Sequence, residues 1–170
     1  MASCKKHTCE GFPEGELKWT PFDVNKNLKY VSDADTLELT ITDKFHSTES
    51  KYSGEPDPEY CIPESWYRTN EFDNFSIYEK VDISYGGSSY MTTNFSSNNI
   101  FQYELRDGYY SNSISVRHIG DTLINDIQLY EVFKIAKDSQ DGIDWFIKAA
   151  HRGIISFGDK DINKIWEQIQ

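Results

Sequence analysis

The 170-residue sequence lacks several features that would assign it to a functional class directly. It has no run of about 18 apolar residues, so no segment is predicted to span a membrane as a helix. It contains no phosphate-binding glycine loop, Gly-x-Ser-x-Gly motif or His-x-x-x-His pair, so no cofactor, serine nucleophile or metal site is predicted from a motif. Basic residues are also few. The 17 Lys and Arg against 28 Asp and Glu give a net charge of -11, which disfavours nucleic acid and favours cationic partners.

Aliphatic residues are scarce, but aromatic residues are not. Only 38% of residues are hydrophobic, yet the chain holds 11 Tyr, 10 Phe and 4 Trp. Because each aromatic ring buries a large area, such a chain can form a core and is predicted to be globular. The tryptophans are candidates for lining a site for a partner or ligand, and the alternative is a core built from rings. They are Trp19, Trp66, Trp145 and Trp166.

Apolar and polar residues alternate along most of the chain, which is typical of half-buried β-strands. Residues 37–41 and 77–83 show the pattern, and in the second stretch Glu79 shares the parity of the apolar residues. Asp107-Gly108 and Asp141-Gly142 are turn signals between such stretches. About ten short strands at intervals of roughly 8 to 12 residues predict an all-β antiparallel barrel or sandwich, lipocalin-like or a half-barrel, with little helix.

The chain divides into two parts on composition. Residues 1–15 are polar and contain Gly11, Pro13 and Gly15, which predicts a flexible tether. Residues 16–170 are predicted to form a single β domain. Its first strand or edge segment is expected at 17–22, and its last at 164–169, where a helical stripe is the alternative.

The N-terminus resembles the end of a bacterial lipobox. Ala-Ser-Cys at 2–4 is the small-small-Cys pattern that precedes lipid attachment, so Cys4 is predicted to carry a lipid on its sulfur. Met1 would then stand where a signal peptide has been removed.

Lipidation of Cys4 leaves an even pair of thiols. Cys9 and Cys61 are predicted to form a disulfide in an oxidising compartment. The bridge would close a loop of about fifty residues and contribute roughly 4 kcal/mol of stability. The alternatives are three reduced thiols or a zinc site that includes His7, although the spacing matches no usual zinc pattern.

Other ionisable residues give no motif. The four histidines are dispersed, and no two of the 28 acidic residues stand out as a glycosidase pair. Three acidic pairs could suggest calcium, but they lack the tight spacing of a calcium loop and are interpreted as turn residues. These pairs are Asp33/Asp35, Asp57/Glu59 and Asp159/Asp161.

Three stretches of the chain carry a resemblance to a known group of proteins. They are ASCKK at 2–6, LKWTPFDVNKNLKYVSDADTLELTI at 17–41 and LYEVFKIAKDSQDGIDWFIKAAHRGIISF at 129–157. With these stretches the chain resembles the small secreted lipoproteins of Bacteroidetes-type bacteria. The resemblance covers most of the chain, but its motifs describe strands, and it carries no catalytic residue with it. It implies an all-β domain held to a membrane by a lipid.

The sequence therefore predicts a non-enzymatic, lipid-anchored protein of the periplasm or cell surface, attached to the outer membrane, that binds a protein partner or a small ligand. No cofactor or metal is expected, and the lipid would be the only contact with the membrane. One alternative is an immunity-type inhibitor that blocks a basic toxin. Another is a polysaccharide-acting hydrolase. An apolar cavity would favour a ligand carrier, a flat acidic and aromatic patch an inhibitor, and two facing carboxyls in an open cleft an enzyme.

Overall fold

The computed structural model describes residues 8–9, 11–47, 50–51, 63–83, 88–96, 99–124 and 127–169. Cys4 and Cys61 lie outside these residues, and only the backbone of Cys9 lies within them. The lipidation site and the Cys9–Cys61 disulfide therefore stay predictions. In this part of the chain no helix is long and apolar enough to cross a membrane.

The described chain is built almost wholly from antiparallel strands, with one short 3₁₀ helix at Glu14–Trp19. The strands are β1 Thr8–Cys9, β2 Asn27–Ser32, β3 Asp35–His46, β4 Ser50–Lys51, β5 Glu64–Thr69, β6 Ile77–Ile83, β7 Ser89–Phe95, β8 Asn99–Glu104, β9 Tyr110–Ser111, β10 Ile114–Ile124, β11 Ile127–Lys137, β12 Ile143–Ala149, β13 Gly153–Asp159 and β14 Lys164–Ile169.

Twelve of these strands form one sheet, in the order β8-β7-β6-β5-β3-β2-β14-β13-β12-β11-β10-β9, and β1 pairs separately with β4. The large sheet curls until β8 lies against β10, so the barrel is nearly closed. The all-β prediction is confirmed, and of its two architectures the barrel is the one observed. The predicted ten strands are slightly too few, because short strands such as β9 were not recognised.

The predicted alternation at 37–41 and the predicted last strand at 164–169 are confirmed. Strand β2 pairs with β3 in the register Leu28↔Leu39 and Tyr30↔Leu37, so the apolar residues of both strands face the interior together. The last strand, β14, pairs with β13 on one side and β2 on the other. It is therefore an internal strand of the sheet, and it pairs the C-terminal part of the chain with β2. The helical alternative for this segment is wrong.

The predicted strand at 17–22 is also wrong. Glu14–Trp19 forms the 3₁₀ helix, with Pro13 at its N-cap and short-range hydrogen bonds from Glu16 N–H to Pro13 O and from Thr20 N–H to Leu17 O. Proline before a helix and acidic residues in its first turn favour this start. The helix places Trp19 in one end of the barrel, and Phe12 is already part of the core, ahead of the expected domain start at Glu16.

Candidate binding site

The barrel interior is occupied by the protein's own aromatic rings. Phe101 and Phe146 meet edge to face with ring centroids 5.1 Å apart, and Phe95 lies 5.4 Å from both Phe146 and Phe157. Tyr30 packs against Phe157 at 5.2 Å. These rings take the space that a ligand occupies in a lipocalin-like barrel.

A charged pair lies among these rings. Lys148 on β12 and Glu79 on β6 are both 0% exposed, and the Lys148 ammonium donates a hydrogen bond to Glu79 Oε1. Tyr67 donates to Glu79 Oε2, and Thr93 donates to Oε1 at 3.3 Å. The Tyr103 hydroxyl completes the cluster, 3.0 Å from Thr93 Oγ1. Both carboxylate oxygens are thus hydrogen-bonded, which such a buried charge requires.

Burial governs the ionisation of the cluster. It lowers the pKa of the Lys148 ammonium below its ordinary value, while the neighbouring Glu79 carboxylate acts in the opposite direction. Burial, and then the charge of Glu79, raise the pKa of Tyr67 and of Tyr103 well above the usual tyrosine value. These side chains are closed to solvent, so the cluster holds the barrel together and has no surface for a substrate.

One end of the barrel opens into an acidic mouth of about 380 Å³. Burial raises the pKa of Asp159, which lies there beside Asp161. Each carboxylate accepts a backbone hydrogen bond: Asp159 from Asp161 N–H at 3.0 Å, and Asp161 from Gly142 N–H at 2.9 Å. These bonds hold two turns, in agreement with the interpretation of this acidic pair as turn residues.

An aromatic patch covers the outside of β3, β5 and β6. Trp66 stacks on Phe45 with centroids 5.9 Å apart and lies 6.0 Å from the ring of Tyr78. Acidic side chains border the rings, but each is held by a cation: Asp43 by Arg68, and Glu64 and Asp82 by Lys80. These ion pairs leave the patch with a nearly balanced charge.

The outer face of β12, β13 and β14 carries an apolar groove, called the outer groove below, of about 240 Å³. Outer strand faces are usually polar, so a row of isoleucines there is unusual. The residues that line the outer groove are Ile124, Ile127, Leu129, Trp145, Ile147, Arg152, Ile155, Ser156, Ile165, Glu167 and Gln168.

The ends of β10 and β11 form one wall of the outer groove, through Ile124 and Ile127. The register of this hairpin shifts twice, around Gly120, and Glu131 adopts a positive φ of 47°. Such bulges bend a hairpin sharply. Asp121 accepts a hydrogen bond from Glu131 N–H at 3.0 Å, and Tyr130 O accepts one from Ala150 N–H at 3.2 Å. These bonds hold the bent β10–β11 pair against the end of β12.

A second wall depends on Gly158. Trp145 lies opposite Gly158 in the β12–β13 pairing, and a Cβ atom added to Gly158 would be 2.3 Å from the Trp145 indole nitrogen. Only glycine lets the indole lie this close to β13. Lys134 sits over the same ring, 4.9 Å from its centroid, which keeps a cation at the edge of the outer groove.

The outer groove ends at Arg152. Its Nε atom is buried and has no hydrogen-bond partner among the described residues. Arg152 also lines a second concavity of about 310 Å³ on the other side, called the basic depression below. The residues lining the basic depression are Pro21, Phe22, Asp23, Lys26, Asn27, Leu28, His151, Arg152, Gln168 and Ile169.

The four tryptophans predicted as site residues do not come together. Trp145 lines the outer groove and Trp66 lies in the aromatic patch. Trp19 and Trp166 belong to the core, at 4% and 9% exposure. Within the described ranges, no group of three or more His, Cys, Asp or Glu side chains is placed to hold a metal ion.

Sequence reasoning missed Arg152 and the isoleucines of the outer groove. A usable signal was present in residues 143–157, where apolar residues occur at both parities. A strand that is apolar on both faces is typically covered on both, so Ile147 and Ile155 indicated an outer apolar contact. Comparison with known proteins finds no matching family model, no matching curated protein and no matching solved structure.

Proposed function

We propose that this protein is a non-enzymatic binding protein of the bacterial envelope, anchored through a lipid on Cys4, that holds a small apolar ligand in the outer groove. The observation that supports it is the outer groove itself: an apolar concavity with a few polar groups at one end is the usual form of a small-molecule site. The filled barrel interior directs the ligand to the outside.

An uncharged apolar dye such as Nile red tests this function. We expect the wild-type protein to bind the dye with a blue-shifted emission. Ile165 is 56% exposed at the groove, so Ile165→Glu leaves the core intact but should abolish most of this binding. The matched control is Ile100→Glu on β8, where the side chain is 46% exposed and distant in the sheet order. Equal dye binding by both variants would contradict a site in the outer groove.

The proposed localisation in the bacterial envelope depends on the state of the cysteines. With Cys9 and Cys61 joined, titration of the denatured, unreduced protein made without its lipid should find one free thiol, that of Cys4. Three free thiols would contradict the proposed oxidising compartment. Acylation is tested separately, by mass spectrometry of the N-terminal peptide from cells that process lipoproteins.

A second candidate function is the immunity-type inhibitor, and the aromatic patch favours it. Phe45, Trp66 and Tyr78 offer the flat, rigid rings that are enriched at the centres of protein interfaces. This function predicts a toxin gene beside the gene for this protein and restored growth on co-expression. Trp66→Ser should abolish the protection, whereas Trp145→Ser should leave it unchanged.

A further inference from the structure

The outer groove and the basic depression are two halves of one amphipathic surface. They adjoin through Arg152 and Gln168, which line both concavities. On one side of these residues the walls are mainly isoleucine, and on the other they carry Lys26 and His151. A molecule that occupied both halves would need an apolar part and a polar part joined end to end.

The basic depression carries positive side chains, whereas the whole protein has a net negative charge. Arg152 and Lys26 form no ion pair with any described residue, although acidic side chains outnumber basic ones. The acid of the depression, Asp23, is held by Lys44 at 2.9 Å. The depression is therefore locally cationic on a protein of net charge -11.

We propose that the ligand is a single-chain amphiphile with a carboxylate head, whose alkyl chain lies in the outer groove and whose carboxylate meets Arg152 in the basic depression. This inference rests on the proposed function, because it names the ligand class of the same site. A guanidinium binds a carboxylate through two parallel hydrogen bonds, and Arg152 has no carboxylate partner among the described residues.

The size of the outer groove sets the chain length. A groove of about 240 Å³ is smaller than a usual site for a drug-sized ligand, so it suits an alkyl chain of medium length. Decanoate fits this length. Affinity should rise roughly tenfold from octanoate to decanoate, as expected for two buried methylenes, and by much less from decanoate to dodecanoate.

The test compares decanoate with decyltrimethylammonium, both as monomers, by isothermal titration calorimetry. The charge of the whole protein favours the cation, whereas Arg152 favours the carboxylate. We expect decanoate to bind at least tenfold more tightly. Arg152→Gln should weaken decanoate binding about tenfold, since a charge-assisted hydrogen bond is lost, and leave decyltrimethylammonium unaffected. The control Arg106→Gln removes an equal charge beside Glu104, in a separate concavity that Trp19 also lines, and should change neither affinity.

Each alternative outcome is distinguishable. Tighter binding of the cation, or equal loss of both ligands in Arg152→Gln, would overturn the proposal. Binding to anionic phospholipid vesicles without binding of monomeric decanoate would also overturn it, because the occupant would then be a membrane surface. Nile red binding that depends on Ile165, with no preference for decanoate, would leave the proposed function standing and refute only the ligand class. If neither Nile red nor decanoate binds, the proposed function is refuted.

Discussion

Lys148 and Arg152 are close in sequence, at and just beyond the end of β12, yet their surroundings are opposite. Lys148 points into the barrel, where it is closed to solvent and meets Glu79. Arg152 lies in the turn that follows β12, between two open concavities, and its Nε has no partner in the described part of the chain.

We interpret Lys148 as a structural cation and propose Arg152 as a binding one. A buried charge persists only when a counter-charge and hydrogen bonds satisfy it, and Lys148 fulfils that condition completely. In an acidic protein most accessible cations also have a carboxylate beside them, as Lys18 has Glu131 and Lys29 has Glu38. Arg152 is half-buried between two concavities and has no such carboxylate, which supports the proposal that it meets a ligand.

Replacing both cations by methionine should give the largest contrast. Lys148→Met leaves the Glu79 carboxylate buried without a counter-charge and should lower the free energy of unfolding by about 3–5 kcal/mol. Arg152→Met removes an unpartnered group and should change the free energy of unfolding by about 0.5 kcal/mol or less. Urea unfolding at pH 7 measures both.

The double variant Glu79→Gln/Lys148→Met is the control for this contrast. It removes both charges while keeping an acceptor for Tyr67, so most of the lost stability should return. A double variant as unstable as Lys148→Met would show that the methionine packs badly, and that the unpaired charge is not the cause.

Gly158→Ala should have an intermediate effect on stability. It should also reduce ligand binding, because Gly158 positions a wall of the outer groove. The new methyl group would displace the Trp145 indole, at a cost of about 1–3 kcal/mol in unfolding free energy and with most Nile red binding lost. Tryptophan emission and dye titration check both effects. Gly15→Ala is the control, because a Cβ atom there meets nothing within 4 Å, and it should retain binding.

The smallest effect is expected at the acidic mouth. Burial raises the pKa of Asp159 in the folded state, so the folded protein binds this proton more tightly than the unfolded chain, and stability falls as pH rises through that range. Asp159→Asn keeps the acceptor for Asp161 N–H and should raise stability at pH 7 by a fraction of a kcal/mol. The gain should vanish at pH 3. Thermal unfolding of the wild type and of Asp159→Asn at the two pH values measures this gain. A variant less stable than the wild type at pH 7 would contradict the prediction.

Local patterns predicted much of the barrel. Alternation at 37–41 and 77–83 located β3 and β6, and the structure shows that the parity Glu79 shares with Ile77 and Val81 faces the barrel interior. Period-two alternation is a property of a few adjacent residues, so it can be read without knowledge of the fold.

The partners of those residues could not be predicted in the same way. Lys148 meets Glu79 across 69 residues of chain, and the contact exists only because the sheet curls until distant strands face each other. The outer groove also depends on a long-range contact: beyond the bulges around Gly120, Ile124 and Ile127 pack against the cluster that contains Ile155. At Glu14–Trp19, Pro13 and the acidic first turn favoured a helix, but the apolar residues there resembled a strand.

The most direct test of the outer-groove site is paramagnetic broadening of the tryptophan indole N–H signals by decanoate that carries a nitroxide at its chain end. Trp145 lines the outer groove, whereas Trp19 lies in the end of the barrel interior. We expect the Trp145 signal to broaden at ligand concentrations that leave the Trp19 signal sharp. Broadening of Trp19 first, or of all four indoles equally, would contradict a ligand site on the outside of β12–β14.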